Sequence, residues 1–335
     1  MKDIIITLII IAVKTAVYFG VLLLHVAYAT YFERKVIGHI QMRLGPMIVG
    51  PHGLLQPIAD MVKLVFKEDI IPAQVNKAIF SIAPFISLVA GLTTFSVIPV
   101  NQGWYIADVN VSLLLVLGIA GIGTYGIILA GWSSNSKYAF LGGLRSAAQM
   151  ISYEVALGLS IVGVILLAES FNLNEIVQKQ QQYWYGMFLF PQFLAYFIFL
   201  VAMFAETNRT PFDLPEAESE LVAGYFVEYS GMRFALFYLA EYVAMFCMSS
   251  LATICFWGGW TIPPILVKAC PCLANIPGIV WFLLKVYFHI FLFYWIRGTV
   301  PRYRYDQLMA IGWKVLVPLA LLNIVVTSII KYIIS

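Results

Sequence analysis

Charge is scarce in this chain. Lys, Arg, Asp and Glu together make up 11% of its 335 residues, where a soluble domain carries about 25%. Hydrophobic residues supply 61%, and the mean hydropathy is +0.89. A soluble core of this length cannot bury so much apolar surface, so the composition excludes a soluble globular protein and predicts an integral membrane one. A net charge of +3 with no basic stripe excludes a nucleic-acid partner. The four cysteines, Cys247, Cys255, Cys270 and Cys272, are too few and too close for a disulfide framework. Cys270-Pro271-Cys272 has a spacing that rarely closes an unstrained disulfide. No neighbouring His or Cys completes a zinc or iron–sulfur ligand set, so no redox role is expected of it. Glycine-rich phosphate cradles, nucleophile triads and haem-attachment motifs are missing too. The chain is therefore expected to bind no metal and no cofactor of its own. The first residues lack a short apolar core followed by a cleavage site, so Lys2 to Thr30 reads as a retained span.

What the sequence does have is long apolar runs. A membrane-spanning helix needs about 20 mostly apolar residues. Such runs lie at Ile4–Tyr31, Ile79–Val100, Val111–Ala130, Ala147–Ala168, Met187–Ala205, Phe234–Trp257, Ile276–Ile296 and Val315–Ile334. They predict an all-α polytopic membrane protein: one membrane domain over residues 1–335, eight transmembrane helices, both termini on one side, no internal repeat. Inner loops are expected at 32–78, 131–146, 206–233 and 297–314. Fourteen Lys and Arg residues fall in those loops, against only Lys2, Lys179, Lys268 and Lys331 on the other side. That bias predicts that these loops face the cytoplasm or the mitochondrial matrix. In the first loop Leu54, Leu55, Ile58, Val62, Val65 and Phe66 recur at helical spacing, with Gln56, Asp60, Lys63 and Lys67 on the other face. The pattern predicts a short amphipathic helix in the headgroup plane. Gly45, Pro46, Gly50, Pro51 and Gly53 precede it as a structured turn.

Six of the 17 acidic residues crowd into one interval between apolar runs: Glu206, Asp213, Glu216, Glu218, Glu220 and Glu228. Acids at the edge of a hydrocarbon phase are costly unless they meet water, a partner charge or a proton. Asp213 as a helix cap, with Pro215 in the first turn and Glu216 as capping-box partner, accounts for two of them. Glu216, Glu220 and Glu228 follow at intervals of four and eight residues and are expected to share one helical face. Carboxylates crowded in this way can hold and release protons near neutral pH, which favours a relay or water channel over solvated capping. Glu154 lies inside the fourth span, on the face opposite Arg145. Ala147, Met150 and Gly158 beside it leave room for another helix. A proton site is the favoured reading for Glu154, with a structural hydrogen bond as the alternative. Glu241 sits in the sixth span near Tyr238 and Tyr242, while Lys285 and His289 share a face of the seventh. Packing of those two spans is expected to pair Glu241 with Lys285, as a static ion pair or a proton site. Lys14 is expected to snorkel outward and His25 to be a satisfied imidazole.

Ala205 to Tyr229, reading AETNRTPFDLPEAESELVAGYFVEY, resembles the signature loop of the subunit 1 family of NADH:ubiquinone oxidoreductase, respiratory complex I. Three further stretches agree: Glu33 to Gly38 with Gln41, Arg43, Gly45-Pro46 and Gly53 to Asp60; Gly131 to Glu154; and Pro301 to Met309. The resemblance covers nearly the whole chain and departs at Trp260 to Ile276, where the Cys-Pro-Cys lies. It implies the membrane subunit of a proton-pumping enzyme that itself binds neither NADH nor metal. Arg34, Arg43, Asp60, Phe237 and Arg297 would line or brace a chamber for ubiquinone, the substrate of the complex. Glu154, Glu206, Asp213, Glu216, Glu218, Glu220, Glu228 and Glu241 would form an acidic proton path, with Lys285 beside it. Two peripheral subunits would complete the chamber, one carrying the terminal iron–sulfur cluster. NADH, FMN and the other clusters would belong to partner subunits, and small and antiporter-like membrane subunits would carry the pumping. The expected location is the mitochondrial inner membrane, with the bacterial plasma membrane as the alternative. Two other functions stay open. One is the equivalent subunit of an energy-converting hydrogenase-type complex, against which the long Glu33–Asp60 motif argues. The other is a stand-alone transporter, against which the lack of duplicated halves argues.

Overall fold

Backbone amides in hydrocarbon have no water to bond, so apolar runs satisfy them internally as helices. The computed structural model describes residues 2–183, 185–213 and 223–334. In chain order the helices are α1 (Lys2–Ile40), α2 (Gln56–Phe66), α3 (Lys77–Ser96), α4 (Ser112–Ser133), α5 (Lys137–Ala168) and α6 (Leu173–Gln182). They continue with α7 (Phe193–Glu206), α8 (Gly231–Phe256), α9 (Pro264–Ala269), α10 (Gly278–Thr299), α11 (Tyr305–Ala310) and α12 (Val317–Ile334). A π-helical turn over Ile311–Leu316 joins the last two into one rod. Among the described residues the sole strand-like pairing is the bridge between Asn101 and Trp104. The fold is all-helical, as the apolar runs require.

Among the described residues seven helices are long and apolar enough to cross a membrane: α1, α3, α4, α5, α8, α10 and the α11–α12 rod. The fifth expected span is the exception. Its run begins at Met187, yet α7 starts only at Phe193 and its 14 residues rise about 21 Å against about 30 Å of hydrocarbon. A buried glutamine explains the missing turn. Gln180 of α6 accepts from the Phe188 N–H (3.1 Å) and donates through Nε2 to the Ile254 carbonyl (2.7 Å), while the Leu189 N–H bonds the Phe256 carbonyl. Side-chain and interhelical bonds thus replace the helical ladder over this stretch, which is tolerated because it is buried in protein.

Other helices overrun their apolar runs. α1 continues to Ile40 and so carries Glu33 and Arg34 on a helix, and α5 starts at Lys137, leaving only a short turn after α4. The expected inner loops are correspondingly shorter. The amphipathic helix forms as α2, with Leu54, Leu55, Ile58, Val62, Val65 and Phe66 all exposed. Gly53, at φ +82°, lets the Pro46 carbonyl approach where a side chain would collide.

α8 is the axis of the molecule. From Tyr242 to Phe256 nearly every residue is buried, with α1, α2, α3, α6, α7 and α10 packed around it. α5 ties the other side together through α4, α7 and α12.

Candidate functional site

Three helices and one loop converge at one end of the bundle. α1 brings Glu33, α10 brings Arg297 in its last turn, and the first half of α8 brings Tyr238, Glu241 and Tyr242. Arg209 arrives from the loop after α7. That loop is held by Gln149 of α5, whose Nε2 donates to the carbonyls of Ala205 and Phe212, both at 2.8 Å. It also leans on the chain before α11: the Tyr303 N–H donates to the Pro211 carbonyl, and the Phe212 and Tyr303 rings stack at 5.7 Å.

The charged groups form one chain. Arg297 Nη1 binds Glu33 Oε1, and the Tyr242 hydroxyl donates to Glu33 Oε2 at 2.6 Å. Arg209 then spans two acids, with Nη1 3.5 Å from Glu33 and Nη2 3.7 Å from Glu241. Its guanidinium lies over the Tyr242 ring at 4.2 Å. Tyr225 donates to Glu241 from the other side at 3.4 Å. The Arg209 and Glu33 side chains are only 9% and 6% exposed. Burial alone would lower the Arg209 pKa, but Tyr242, Glu33 and Glu241 together hold it well above the usual arginine value. Two cations balance two anions, which is what makes so buried a cluster tolerable.

This chain lies between two cavities. On one side a polar chamber of about 620 Å³ is lined by Glu33, Arg34, Arg43, Tyr238, Tyr242 and Arg297. On the other a smaller cavity of about 80 Å³ is lined by Glu206, Asn208, Tyr225 and Glu241, with α3 and α4 closing it. Glu33 faces the first, Glu241 the second, and Arg209 holds both.

The expected chamber residues divide. Arg34, Arg43 and Arg297 line the polar chamber, and Asp60 of α2 reaches Arg34 at 2.6 Å. Phe237 lies apart from these four. One residue before Tyr238, it is turned about 100° around α8 and lines the acidic cavity, packed on Tyr225, Phe226 and Tyr229.

The expected acids divide as well. Glu206 and Glu241 share a cavity. Glu154 faces α4 at Gly121, where an added Cβ would sit 2.9 Å from its Oε1. Asp213 pairs with Arg302 at 3.1 Å. Glu216, Glu218 and Glu220, with the expected cap at Asp213 to Glu216, lie outside the described residues or at their edge. Glu228 does not continue a helix: it sits in a turn after the 3-10 segment Gly224–Phe226, before α8 begins. Gly224, at φ +54° and pressed against Gly142 of α5, takes a left-handed backbone that no α-helix contains, four residues before Glu228.

Lys285 also departs from expectation. It does not meet Glu241. Its Nζ donates to the carbonyls of Trp257 (2.6 Å), Gly259 (2.9 Å) and Thr261 (2.7 Å), capping the far end of α8. Trp257 stands 16 residues beyond Glu241, about 24 Å along the axis. His289 bonds the Lys285 carbonyl and the Tyr196 hydroxyl. The sequence puts Glu241 and Lys285 on adjacent spans but carries no information on their relative depth.

The sequence alone does not single out Glu33 and Arg209 as site residues. The available signal was their place in the two longest motifs, together with Tyr238 and Tyr242 one turn apart around Glu241.

Residues 13–328 match the NADH dehydrogenase family. The chain is 57% identical over 304 residues to the H subunit of the NADH-quinone oxidoreductase of Rhodospirillum rubrum, covering 90% of this chain and 88% of that one. It is 54% identical over 323 residues to the corresponding H subunit of Rickettsia rickettsii, covering 96% and 93%. It is 52% identical over 338 residues to the first H subunit of Geobacter sulfurreducens, covering 95% and 93%. A match of that extent, over a chain that holds a buried ion-pair network between two cavities, means that the protein belongs to the NADH dehydrogenase family.

Proposed function

We propose that this chain is the membrane subunit of a proton-pumping NADH–quinone oxidoreductase, forming the membrane wall of the quinone chamber and the start of the proton path. The observation that carries this reading is the buried chain Arg297–Glu33–Arg209–Glu241, which links a polar chamber to an acidic cavity. Reduction of a quinone to a quinol takes up protons and changes the charge in the chamber. Arg34, Arg43 and Arg297 present cations there, and Glu33 and Tyr242 respond first. Arg209 holds both carboxylates, so a shift toward or away from Glu33 changes what Glu241 experiences across about 4 Å. Glu241, Glu206 and Glu154 then carry the change onward toward partner subunits. Glu216, Glu218, Glu220 and Glu228 of the same loop belong to this path in our reading. Asp213 anchors the loop through Arg302, and Lys285 stands apart as the cap of α8.

In the same reading α7 and the turn before it make an eighth crossing, both termini share one side, and the basic loops face the mitochondrial matrix or, in a bacterium, the cytoplasm. The polar chamber opens on that side, where peripheral subunits carrying the terminal iron–sulfur cluster would close it. Antiporter-like membrane subunits would receive the proton path. Quinone is the substrate; NADH, FMN and the clusters belong to the partners.

The test uses the assembled complex in proteoliposomes. Glu206→Gln and Glu241→Gln should leave NADH oxidation by a water-soluble acceptor intact while quinone-linked proton translocation falls at least tenfold. Glu216→Gln and Glu220→Gln should act in the same direction. Translocation at the wild-type rate in both Glu206 and Glu241 variants would remove the proposal.

A further inference from the structure

Another cavity, at the opposite end of the bundle, takes no part in the site above. It lies between α1, α8, α10 and the turn after α3, encloses about 280 Å³, and is walled by Val21, Leu22, Phe95, Phe246 and Phe282. At about 30 Å³ per water it has room for about nine, but between its ends the walls offer them only the Ser250 hydroxyl and a Tyr18 hydroxyl already bonded to the Ile98 carbonyl, and cavities so nearly apolar take apolar occupants instead. Its two basic residues stand at opposite ends. Lys14 and His25 are eleven residues apart on α1, which returns them to one face and separates them by about 16 Å. That is about half of the roughly 30 Å hydrocarbon layer. The cavity has the depth of one leaflet.

The two ends differ in chemistry. At the inner end His25 donates from Nδ1 to the Val21 carbonyl at 2.7 Å, and its ring lies against Phe246 and Tyr287. The floor is therefore aromatic. At the mouth the Lys14 ammonium stands 5.3 Å from the Tyr105 ring centroid, with Trp104 on the same rim. Among the described residues no carboxylate lies within 4 Å of it. A cation flanked by Trp and Tyr at the hydrocarbon edge is the arrangement that meets lipid headgroups. Residues along the outer side of α1, Val13, Val17 and Val21 among them, are exposed and leave the groove open laterally.

We propose that this cavity binds one acyl chain of an acidic phospholipid, whose phosphate is held by Lys14 and whose chain runs down to His25. A zwitterionic lipid can fill the groove but presents an ammonium of its own near Lys14. One lysine at an anionic surface is worth about 1 kcal/mol, or about fivefold in occupancy.

Trp104 supplies the probe. The assembled complex is reconstituted at limiting mole fractions of phosphatidylglycerol or phosphatidylcholine brominated on the acyl chain. The Trp104 signal is taken as the difference between the wild type and Trp104→Phe. Phosphatidylglycerol should quench it about five times more effectively, and Lys14→Gln should abolish the difference. Narrowing the groove with Val21→Phe should weaken quenching by both lipids. Equal quenching in the wild type would mean bulk lipid contact and would overturn the proposal. So would no quenching by either lipid, which would mean that a neighbouring protein covers the groove. The headgroup comparison on the wild type stands even if a variant fails to assemble.

Discussion

Replacing Arg209 with Met keeps the length of the side chain and removes its charge from between two carboxylates. Its guanidinium nitrogens lie 3.5 Å from Glu33 and 3.7 Å from Glu241. At an effective dielectric of about 20 each attraction amounts to roughly 4–5 kcal/mol. Burying the charges takes back several kcal/mol, and measured costs of breaking a buried pair settle at about 3–5 kcal/mol. Arg209→Met should therefore destabilise the subunit by about that amount, read as thermal dissociation of the purified complex in detergent. Because Glu33 contributes to the same contact, the double variant Glu33→Gln/Arg209→Met should cost less than the sum of the singles by roughly 1–3 kcal/mol. Arg209→Lys should recover part of the stability. It should not recover proton translocation, since one ammonium cannot reproduce a fork that holds two acids at once. Additive stability effects together with wild-type translocation in Arg209→Met would refute the reasoning.

Lys285→Met leaves three carbonyls beyond α8 without their donor, so the yield and thermal stability of the complex should fall by about 2–5 kcal/mol, while protons moved per NADH in what assembles stay unchanged. A variant that assembles normally but does not pump would contradict that assignment. Gly142→Ala would put a Cβ 2.6 Å from the Gly224 backbone and should destabilise by about 1–3 kcal/mol; Gly158→Ala on the same helix meets nothing within 4 Å and serves as the neutral control in the same melt. Glu169, exposed after α5, is held below the usual carboxylate pKa by its hydrogen bond and charge interaction with Lys331 at 2.5 Å. A depressed pKa stabilises the fold above the unfolded value of about 4.5 and is lost as pH falls through the folded one. The melting difference between wild type and Glu169→Gln should accordingly be small at neutral pH and vanish in acid. A difference that grows on acidification would count against the pair.

Much of the architecture was legible because apolar runs of span length have few alternatives to helix. α2 was readable too, since Leu55, Ile58, Val62 and Val65 repeat along one face. The shortness of α7 was not, because it depends on Gln180, which reaches the Phe188 and Ile254 backbones across a distance that no local pattern encodes. The site was half legible. Glu206 and Glu241 stood out as acids among apolar residues, and they do share a cavity. Their cation did not stand out, because Arg209 sits inside an acidic motif and finds its partners on α1 and α8 only after packing. Lys285 illustrates the reverse failure. Two charges on neighbouring spans invited a pair, but sequence gives no depth, and helix-end carbonyls took the ammonium first. Phe237 and Tyr238 differ by one step in the chain and by a whole cavity in space.

An arginine at the junction of the two cavities has a further meaning. A guanidinium keeps its protons throughout the working range, so under the function proposed above Arg209 would pass on a change of charge without itself releasing a proton. A histidine or a water file in that position could instead hand protons from one cavity to the other. In that reading the junction would work as insulation that still lets each side sense the other.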